Sequence, residues 1–398
     1  MSDRRYDVVV VGGGPAGATA AQELAQAGRS VLLLDRGGRV KPCGGAVPPQ
    51  LLLDFDVPES LLVNRVDTAR ILSPTGTHVD IPVGDGFVGM VDREHFDEWL
   101  RQRAVTAGAV RVAGTFTDFS RGPDGGLTVR YRPSGASAET TVSVRARYMV
   151  GSDGATSKVA RQALPEEKGS YVYAYHEIVE SPSERTEHFD PERADVYYEG
   201  ELSPDFYSWV FPHGETTSIG TGTAHRGFGM PEAMDALRAR LGLGEDVAPT
   251  IRKEGAPIPL SQRSRWDDGT AVILAGDAAG VVAPSSGEGI FYAMTSGRRV
   301  AEAVDRCLAT GSPKHLKSAR RRFNKEHGMV FFVLGVMQRF WYADDGRRER
   351  FVAICADPDV QRLTFEGYKR KKLVKADPLA HARIFLKNVG HLTGLVRA

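Results

Sequence analysis

Residues 6–35 read YDVVVVGGGPAGATAAQELAQAGRSVLLLD, and this stretch decides the fold. Tyr6 to Val11 is a short apolar run that predicts a buried parallel strand. Gly12-Gly13-Gly14-Pro15-Ala16-Gly17 follows as a turn. Ala18 to Gly28 is rich in alanine and ends in glycine, which predicts a helix. Ser30 to Leu34 is a second apolar strand, closed by Asp35. Strand, glycine turn, helix, strand and acid, in that order, are the parts of a dinucleotide-binding unit. Gly12 permits the tight turn, Gly14 lets the backbone approach a pyrophosphate, and Gly17 lets helix and strand pack closely. Pro15 and Ala16 open the helix, whose free N–H groups and dipole favour phosphate. Asp35 stands where an acid accepts hydrogen bonds from an adenosine ribose, with Arg36 beside it.

Two further glycine clusters follow at a distance. Gly151-Ser152-Asp153-Gly154-Ala155-Thr156-Ser157 is one, and Ala275-Gly276-Asp277-Ala278-Ala279-Gly280 is the other. Ala271 to Leu274 is an apolar strand that delivers Asp277. A helix is expected to begin near Gly287-Glu288-Gly289-Ile290 and to run to about Ala309, with its dipole towards a cofactor edge that gathers negative charge. Taken singly, Asp153 and Asp277 are equally well explained as turn residues or helix caps. In this order and at this spread, the three clusters outline one FAD cradle.

The chain has 398 residues, enough for two or three domains with a sizeable core. Its formal net charge of +1 gives no electrostatic case for nucleic acid. Three cysteines, Cys43, Cys307 and Cys355, have no CxxC spacing, which points to a reducing compartment and no structural zinc. The ten histidines show no HExxH and no Cys/His cluster, so no metal is expected. The first strand starts within a few residues of Met1, which leaves no room for a signal peptide and predicts a cytoplasmic protein. Met329 to Met337 is about half the length of a membrane-spanning helix.

The three clusters resemble those of the flavoproteins that include aromatic hydroxylases and geranylgeranyl reductases. There the second is a Gly-Asp-Gly motif, and the aspartate of the third bonds the flavin ribityl chain. Two more segments narrow the resemblance. Lys41-Pro42-Cys43-Gly44-Gly45 and Tyr207-Ser208-Trp209-Val210-Phe211-Pro212 together look like the geranylgeranyl reductase family. Its members carry a Pro-Cys-Gly-Gly loop near the flavin and a Tyr-x-Trp-x-Phe-Pro strand in the lipid pocket. The stretch Gly276 to Gly297 and the region from Ala356 onward are similar to the branch acting in chlorophyll and bacteriochlorophyll synthesis. The resemblance covers nearly the whole chain. It implies that Arg93, in the helix opened by Asp92-Arg93-Glu94-His95 and running through Leu100, contacts FAD. It also implies cofactor contacts from Cys43, Gly44, Gly45, Asp153, Gly276, Asp277, Gly287, Gly289 and Ile290.

The residues themselves support a lipid site. Tyr207, Trp209 and Phe211 alternate with Ser208 and Val210, so their rings leave one face of a strand, with Pro212 next to them. An isoprenoid chain suits such a wall, because each buried CH₂ contributes about 0.8 kcal/mol. Ordinary sheet core would give the same pattern. Gly44 and Gly45 allow close approach to a flat ring, and Cys43 reads either as a functional thiol or as a small filler.

The layout expected is α/β. A discontinuous Rossmann-like FAD-binding domain takes residues 1–65, 88–168 and 263–310. An antiparallel-sheet substrate domain takes 66–87 and 169–262, with strands around Asp195 to Glu199 and Tyr207 to Gly222. A helical region takes 311–398. In that region Lys314 to Gly328 and Tyr368 to Lys375 are basic, Met329 to Tyr342 is apolar and aromatic, and Ile384 to Val396 has apolar residues at helical spacing. Basic residues beside apolar helices suit a membrane surface with anionic lipid, or a solvated helical cap.

The function expected from these features is an FAD-dependent prenyl reductase in chlorophyll or bacteriochlorophyll synthesis. It would saturate three of the four double bonds of a geranylgeranyl group, as diphosphate or esterified to a chlorophyllide, to give phytyl. NADPH is expected as a transient reductant, since no second GxGxxG is present. Cys43 and Tyr207 are the expected proton donors; Tyr207, Trp209, Phe211 and Pro212 are the expected substrate contacts. A monooxygenase on the same cradle and a non-catalytic carrier of prenylated pigment are the alternatives.

Overall fold

The computed structural model describes residues 4–37, 40–84, 86–167 and 169–371. By contact density the chain forms two compact units. Unit 1 comprises residues 1–41, 93–171 and 257–328, and unit 2 comprises 42–92, 172–256 and 329–398. Residues 42–65 and 88–92, placed above with the FAD-binding region, fall in unit 2.

Unit 1 is built on a parallel sheet. Arg5–Val11 pairs in parallel with Val31–Asp35 on one side and Val142–Gly151 on the other. Val110–Arg121 extends the sheet at one edge and Val272–Leu274 at the other, both again parallel. Leu127–Pro133 pairs antiparallel with the far ends of Val110–Arg121 and Val142–Gly151. Val8 to Val11 and Val31 to Leu34 are all buried. A strand covered on both faces reads as a continuous apolar run, which is why no alternation shows in the sequence.

The helix after the first turn is Pro15–Gln26, starting three residues earlier than Ala18. Proline at the first helical position lacks only an N–H that would have been unpaired anyway. This helix packs along Ile290–Thr310. Gly297 permits the contact, because a Cβ there would lie 2.3 Å from the Ala16 carbonyl oxygen. The helix opened by Arg93 runs to Thr106 rather than stopping at Leu100. Nothing between Leu100 and Thr106 breaks it, and the stop comes with Gly108 at φ +109°.

Unit 2 carries a seven-stranded sheet. Its order is Thr250–Pro259, Tyr171–Glu180, Thr216–Thr223, Ser208–His213, Arg193–Tyr197, Thr68–Leu72, His78–Pro82. Tyr171–Glu180 with Thr216–Thr223, Thr216–Thr223 with Ser208–His213, Ser208–His213 with Arg193–Tyr197 and Thr68–Leu72 with His78–Pro82 are antiparallel pairs, whereas Arg193–Tyr197 runs parallel to Thr68–Leu72. Those two strands are separated by more than 100 residues of chain, so no hairpin constrains their direction. Val179, Val210 and Ile219 face a core completed by Met234 and Leu237 of helix Met230–Arg240. A small antiparallel sheet of Ala46–Val47, Val88–Val91 and Leu62–Val66 stands in the same unit. The C-terminal helices are Lys317–Trp341, Asp345–Cys355 and Pro358–Arg370. Lys372 to Lys375 and Ile384 to Val396 lie outside the described residues.

Candidate active site

At Gly12, Gly13 and Gly17 the glycine turn of unit 1 leaves no room for side chains. Gly12 has φ +103°, which favours glycine. A Cβ on Gly17 would lie 1.9 Å from the Gly12 carbonyl oxygen and 2.3 Å from Ser152 Oγ. The Ser152 hydroxyl is engaged with the carbonyls of Val11 and Gly12, at 2.9 and 3.0 Å. Gly14 caps the helix with no side chain, and a Cβ built there meets nothing within 4 Å. The helix start therefore opens onto free space with its N–H groups available. That is the geometry a pyrophosphate requires.

Asp35 closes the second strand beside this turn. Its carboxylate accepts from the Gly13 N–H at 3.3 Å and faces the Arg101 guanidinium at 3.5 Å. Arg101 also donates to the Gly13 carbonyl at 3.4 Å. Arg36 is exposed, and its carbonyl accepts from Ser134 Oγ. Asp153 caps helix Lys158–Ala163, accepting from the N–H groups of Lys158 and Val159 and from the Ser157 hydroxyl. Arg93 is buried and forms a two-bond pair with Asp97, at 2.8 and 2.7 Å.

The third cluster forms a 3₁₀ turn, Gly276–Ala279, with Gly276 at φ +61° and its N–H donated to Ser296 Oγ. Asp277 is mostly buried and ion-paired to Lys41. Gly287 has φ +63°, and Gly289 precedes helix Ile290–Thr310 without any side-chain cap. The helix starts at Ile290 as expected and ends one residue beyond Ala309.

Unit 2 brings the other residues together. Tyr207 and Trp209 have ring centroids 6.0 Å apart, and Trp209 and Phe211 6.2 Å apart, a continuous aromatic row on one face of the sheet. Val210 points into the core on the other face. The Cys43-Gly44-Gly45 loop lies on this row. A Cβ on Gly44 would stand 3.1 Å from the Phe211 ring and 3.8 Å from Trp209 Nε1. Gly45, at φ +70°, passes beside His213 and Val91, whose N–H donates to the Gly45 carbonyl at 3.0 Å. The Gly45 N–H in turn reaches Cys43 Sγ at 3.4 Å. Cys43 is half-buried, whereas Cys307 and Cys355 are buried. Pro212 is buried at the end of the row.

The two segments that narrowed the sequence reading are thus one packed assembly, although 163 positions separate Gly44 from Tyr207. A family model described as lycopene cyclase protein matches residues 7–380. Geranylgeranyl diphosphate reductase of Rhodobacter capsulatus is 54% identical over 392 residues, covering 98% of both chains. The chain belongs to the geranylgeranyl diphosphate reductase family. A chloroplastic geranylgeranyl diphosphate reductase of Oryza sativa subsp. japonica is 37% identical, covering 98% of this chain and 87% of the rice protein. Among solved structures, a geranylgeranyl bacteriochlorophyll reductase-like protein from Thermoplasma acidophilum superposes with a TM-score of 0.79. It covers 95% of this chain and all of its own at 22% identity, a likeness of fold.

Within this family member, several residues at the two sets escaped the sequence reading. Lys41 was part of the quoted loop, but its partner Asp277 is 236 positions away. Arg101 has no motif around it. His213 is the last residue of the aromatic strand. Its Nδ1–H donates to the Phe211 carbonyl at 2.9 Å, and burial pushes the imidazole pKa below its usual range. A histidine closing an aromatic strand was the available signal for it. The aromatic row also continues into Tyr198, whose ring meets Tyr207, Tyr342 and Phe351. Tyr342 stands just after helix Lys317–Trp341 and Phe351 lies in helix Asp345–Cys355, and no local pattern connects either to the strand.

Proposed function

We propose that this chain is an FAD-containing reductase that saturates three of four double bonds of a geranylgeranyl group to give phytyl, with NADPH supplying the electrons. The substrate is the diphosphate or the ester of a chlorophyllide or bacteriochlorophyllide. One observation carries the reading: the Cys43-Gly44-Gly45 loop is packed onto Trp209 and Phe211. FAD would be held by Gly12, Gly14, Pro15, Ala16, Gly17, Asp35 and Arg36 at its adenosine and pyrophosphate. Arg93, Asp153, Gly276, Asp277, Gly287, Gly289 and Ile290 would hold its remainder, with Cys43, Gly44 and Gly45 at the ring. When bound, it supplies hydride transfer.

The chain's own residues do the rest. An isolated alkene carries no polar handle, so position must provide much of the rate. Tyr207, Trp209, Phe211 and Pro212 offer an apolar surface to the isoprenoid, and water is excluded by the same contact. Each saturation takes up one hydride and one proton. Cys43 and Tyr207 are the proposed proton donors; the Cys43 sulfur accepts the Gly45 N–H, which leaves its own S–H free to donate.

The test is anaerobic. Purified protein with FAD, NADPH and geranylgeranyl-bacteriochlorophyll is expected to bleach the flavin and yield products heavier by about 2, 4 and 6 Da. Cyclisation would leave the mass unchanged, and a gain of one oxygen only in air would mean monooxygenation. No saturated product, even from dithionite-reduced enzyme with lipid, would support the carrier alternative.

A peripheral membrane location belongs to the same proposal. No helix among the described residues is long and apolar enough to cross a membrane. On helix Lys317–Trp341, however, Met329, Phe332 and Val336 are 62%, 67% and 51% exposed. Their spacing puts them on one face, followed on the same face by exposed Arg339. An apolar stripe ending in a cation suits an anionic lipid surface. Phe332→Glu is expected to lower co-sedimentation with phosphatidylglycerol vesicles several-fold while leaving the thermal midpoint unchanged. Equal co-sedimentation of variant and parent would refute the stripe as the contact.

A further inference from the structure

A row of four side chains crosses the sheet of unit 2 on the face that carries the aromatic row. Strand pairing aligns Trp209 with Gly220, and Gly220 with His176. Gly220 is the gap that makes the row possible. A Cβ there would lie 2.3 Å from the Trp209 ring and 2.6 Å from the His176 Cβ. The Trp209 Nε1–H donates to Ser218 Oγ at 3.1 Å. Ser218 Oγ is 3.0 Å from His176 Nδ1, and His176 Nε2 is 3.1 Å from Glu254 Oε2. Ser218 is fully buried, and His176 and Trp209 are nearly so.

The roles in this row are fixed by chemistry. An indole N–H can only donate, so Ser218 Oγ accepts from Trp209. The Ser218 hydroxyl can then donate to Nδ1, and the Nε2–H to the Glu254 carboxylate. The bond from His176 holds the Glu254 carboxyl below its usual pKa range, in keeping with an ionised acceptor. With Nδ1 accepting and Nε2–H donating, the His176 ring satisfies Ser218 and Glu254 together. No group in it faces the aromatic surface as a reactant; what it controls is the tilt of the indole, whose N–H edge is the one nearest Gly44.

We infer that His176, held between Glu254 and Ser218, is a positioning residue for the Cys43-Gly44-Gly45 loop, acting through the orientation of Trp209. Its consequence for catalysis rests on the reductase reading above: a displaced wall should release partly saturated chains. The positioning itself does not depend on that reading, and the thiol of Cys43 reports it directly.

The experiment is iodoacetamide labelling of the purified full-length protein, followed cysteine by cysteine by mass spectrometry. Ser218→Ala and His176→Leu are expected to speed labelling of Cys43 several-fold while buried Cys307 and Cys355 stay unmodified. Ser218→Thr, which keeps the hydroxyl, should restore the slow rate. Trp209→Phe, which keeps a ring but loses the N–H, should speed labelling as well, and combining it with Ser218→Ala should add nothing further. Glu254→Gln, at the partly buried end of the row, guards against variants that fail to fold; it should produce a smaller rise. An unchanged Cys43 rate in Ser218→Ala and Glu254→Gln would overturn the inference. So would simultaneous labelling of all three cysteines in every variant, because that marks general loosening. A failed reductase assay with intact Cys43 coupling would count against the proposed activity alone.

Discussion

Gly17→Val is expected to leave a protein that purifies without flavin and unfolds at markedly lower urea. The added Cβ would have to occupy space 1.9 Å from the Gly12 carbonyl oxygen and 2.3 Å from Ser152 Oγ. Neither neighbour can yield cheaply. Gly12 is held at φ +103° by the turn, and Ser152 Oγ is fixed by two carbonyls of that same turn. Helix Pro15–Gln26 cannot retreat either, because Ala16 rests against Gly297 of the neighbouring helix. Overpacking of this kind costs about 3 kcal/mol, and valine adds two methyl groups beyond the Cβ. Gly14→Ala is the informative partner. Its Cβ meets no protein atom within 4 Å, and its φ of −74° suits alanine. It should therefore fold normally and lose flavin affinity alone, because the space it fills is the space proposed for the pyrophosphate. The two measurements are the flavin-to-protein absorbance ratio and the urea midpoint. If Gly14→Ala keeps full flavin content, the phosphate does not lie over this turn.

That contrast shows what a sequence can disclose. Glycine spacing reports local backbone: where a turn needs positive φ and where two backbones touch. So the strand, turn and helix of residues 5–35 were legible, to within three residues at the helix start. The alternation of Tyr207, Trp209 and Phe211 was legible for the same reason, since side-chain direction follows from strand geometry. Contacts between distant segments were not. Nothing near Lys41 points to Asp277, and nothing near Gly44 points to the Phe211 ring, because those neighbours are set by how the whole chain packs. The resemblance to geranylgeranyl reductases supplied the association of the loop with the strand, and the structure shows the contact itself. His176 illustrates the remaining gap. A single histidine in a strand has no pattern, and it becomes meaningful only once Gly220 and Ser218 are seen beside it.

The strand that carries His176 also carries the second large effect. Successive residues of a strand point to opposite faces, so His176 serves the aromatic side and Glu177 the helix side. Glu177 is fully buried and pairs with Arg238 of helix Met230–Arg240 at 2.6 Å. Arg238 also donates to the carbonyls of Leu243 and Ala248 and to Thr250 Oγ1. Glu177 accepts further from Tyr175 and Lys253, at 2.8 and 2.9 Å. Burial opposes its charge, yet the bonds from Lys253, Tyr175 and Arg238 outweigh it and hold the carboxyl below its usual range. Removing one partner of a buried pair strands the other, a loss of about 3–5 kcal/mol. Arg238→Met should fall at the lower end, about 3 kcal/mol, because Lys253 still reaches the carboxylate.

The pH dependence follows from the direction of that shift. A carboxyl with a depressed folded pKa contributes stability above its unfolded pKa and loses it as pH falls through the folded value. The difference between parent and Arg238→Met should therefore be largest near neutrality and shrink on acidification below about pH 4, where a protonated Glu177 no longer needs the guanidinium. Glu177→Gln added to Arg238→Met should recover part of the loss at neutral pH. Urea midpoints at the two pH values measure all of this, and a pH-independent gap would mean that lost packing, not charge, sets the cost. Under native conditions Arg238→Met should leave Cys43 labelling unchanged. The same strand would then be seen to carry two separable duties, fold stability through Glu177 on one face and site geometry through His176 on the other.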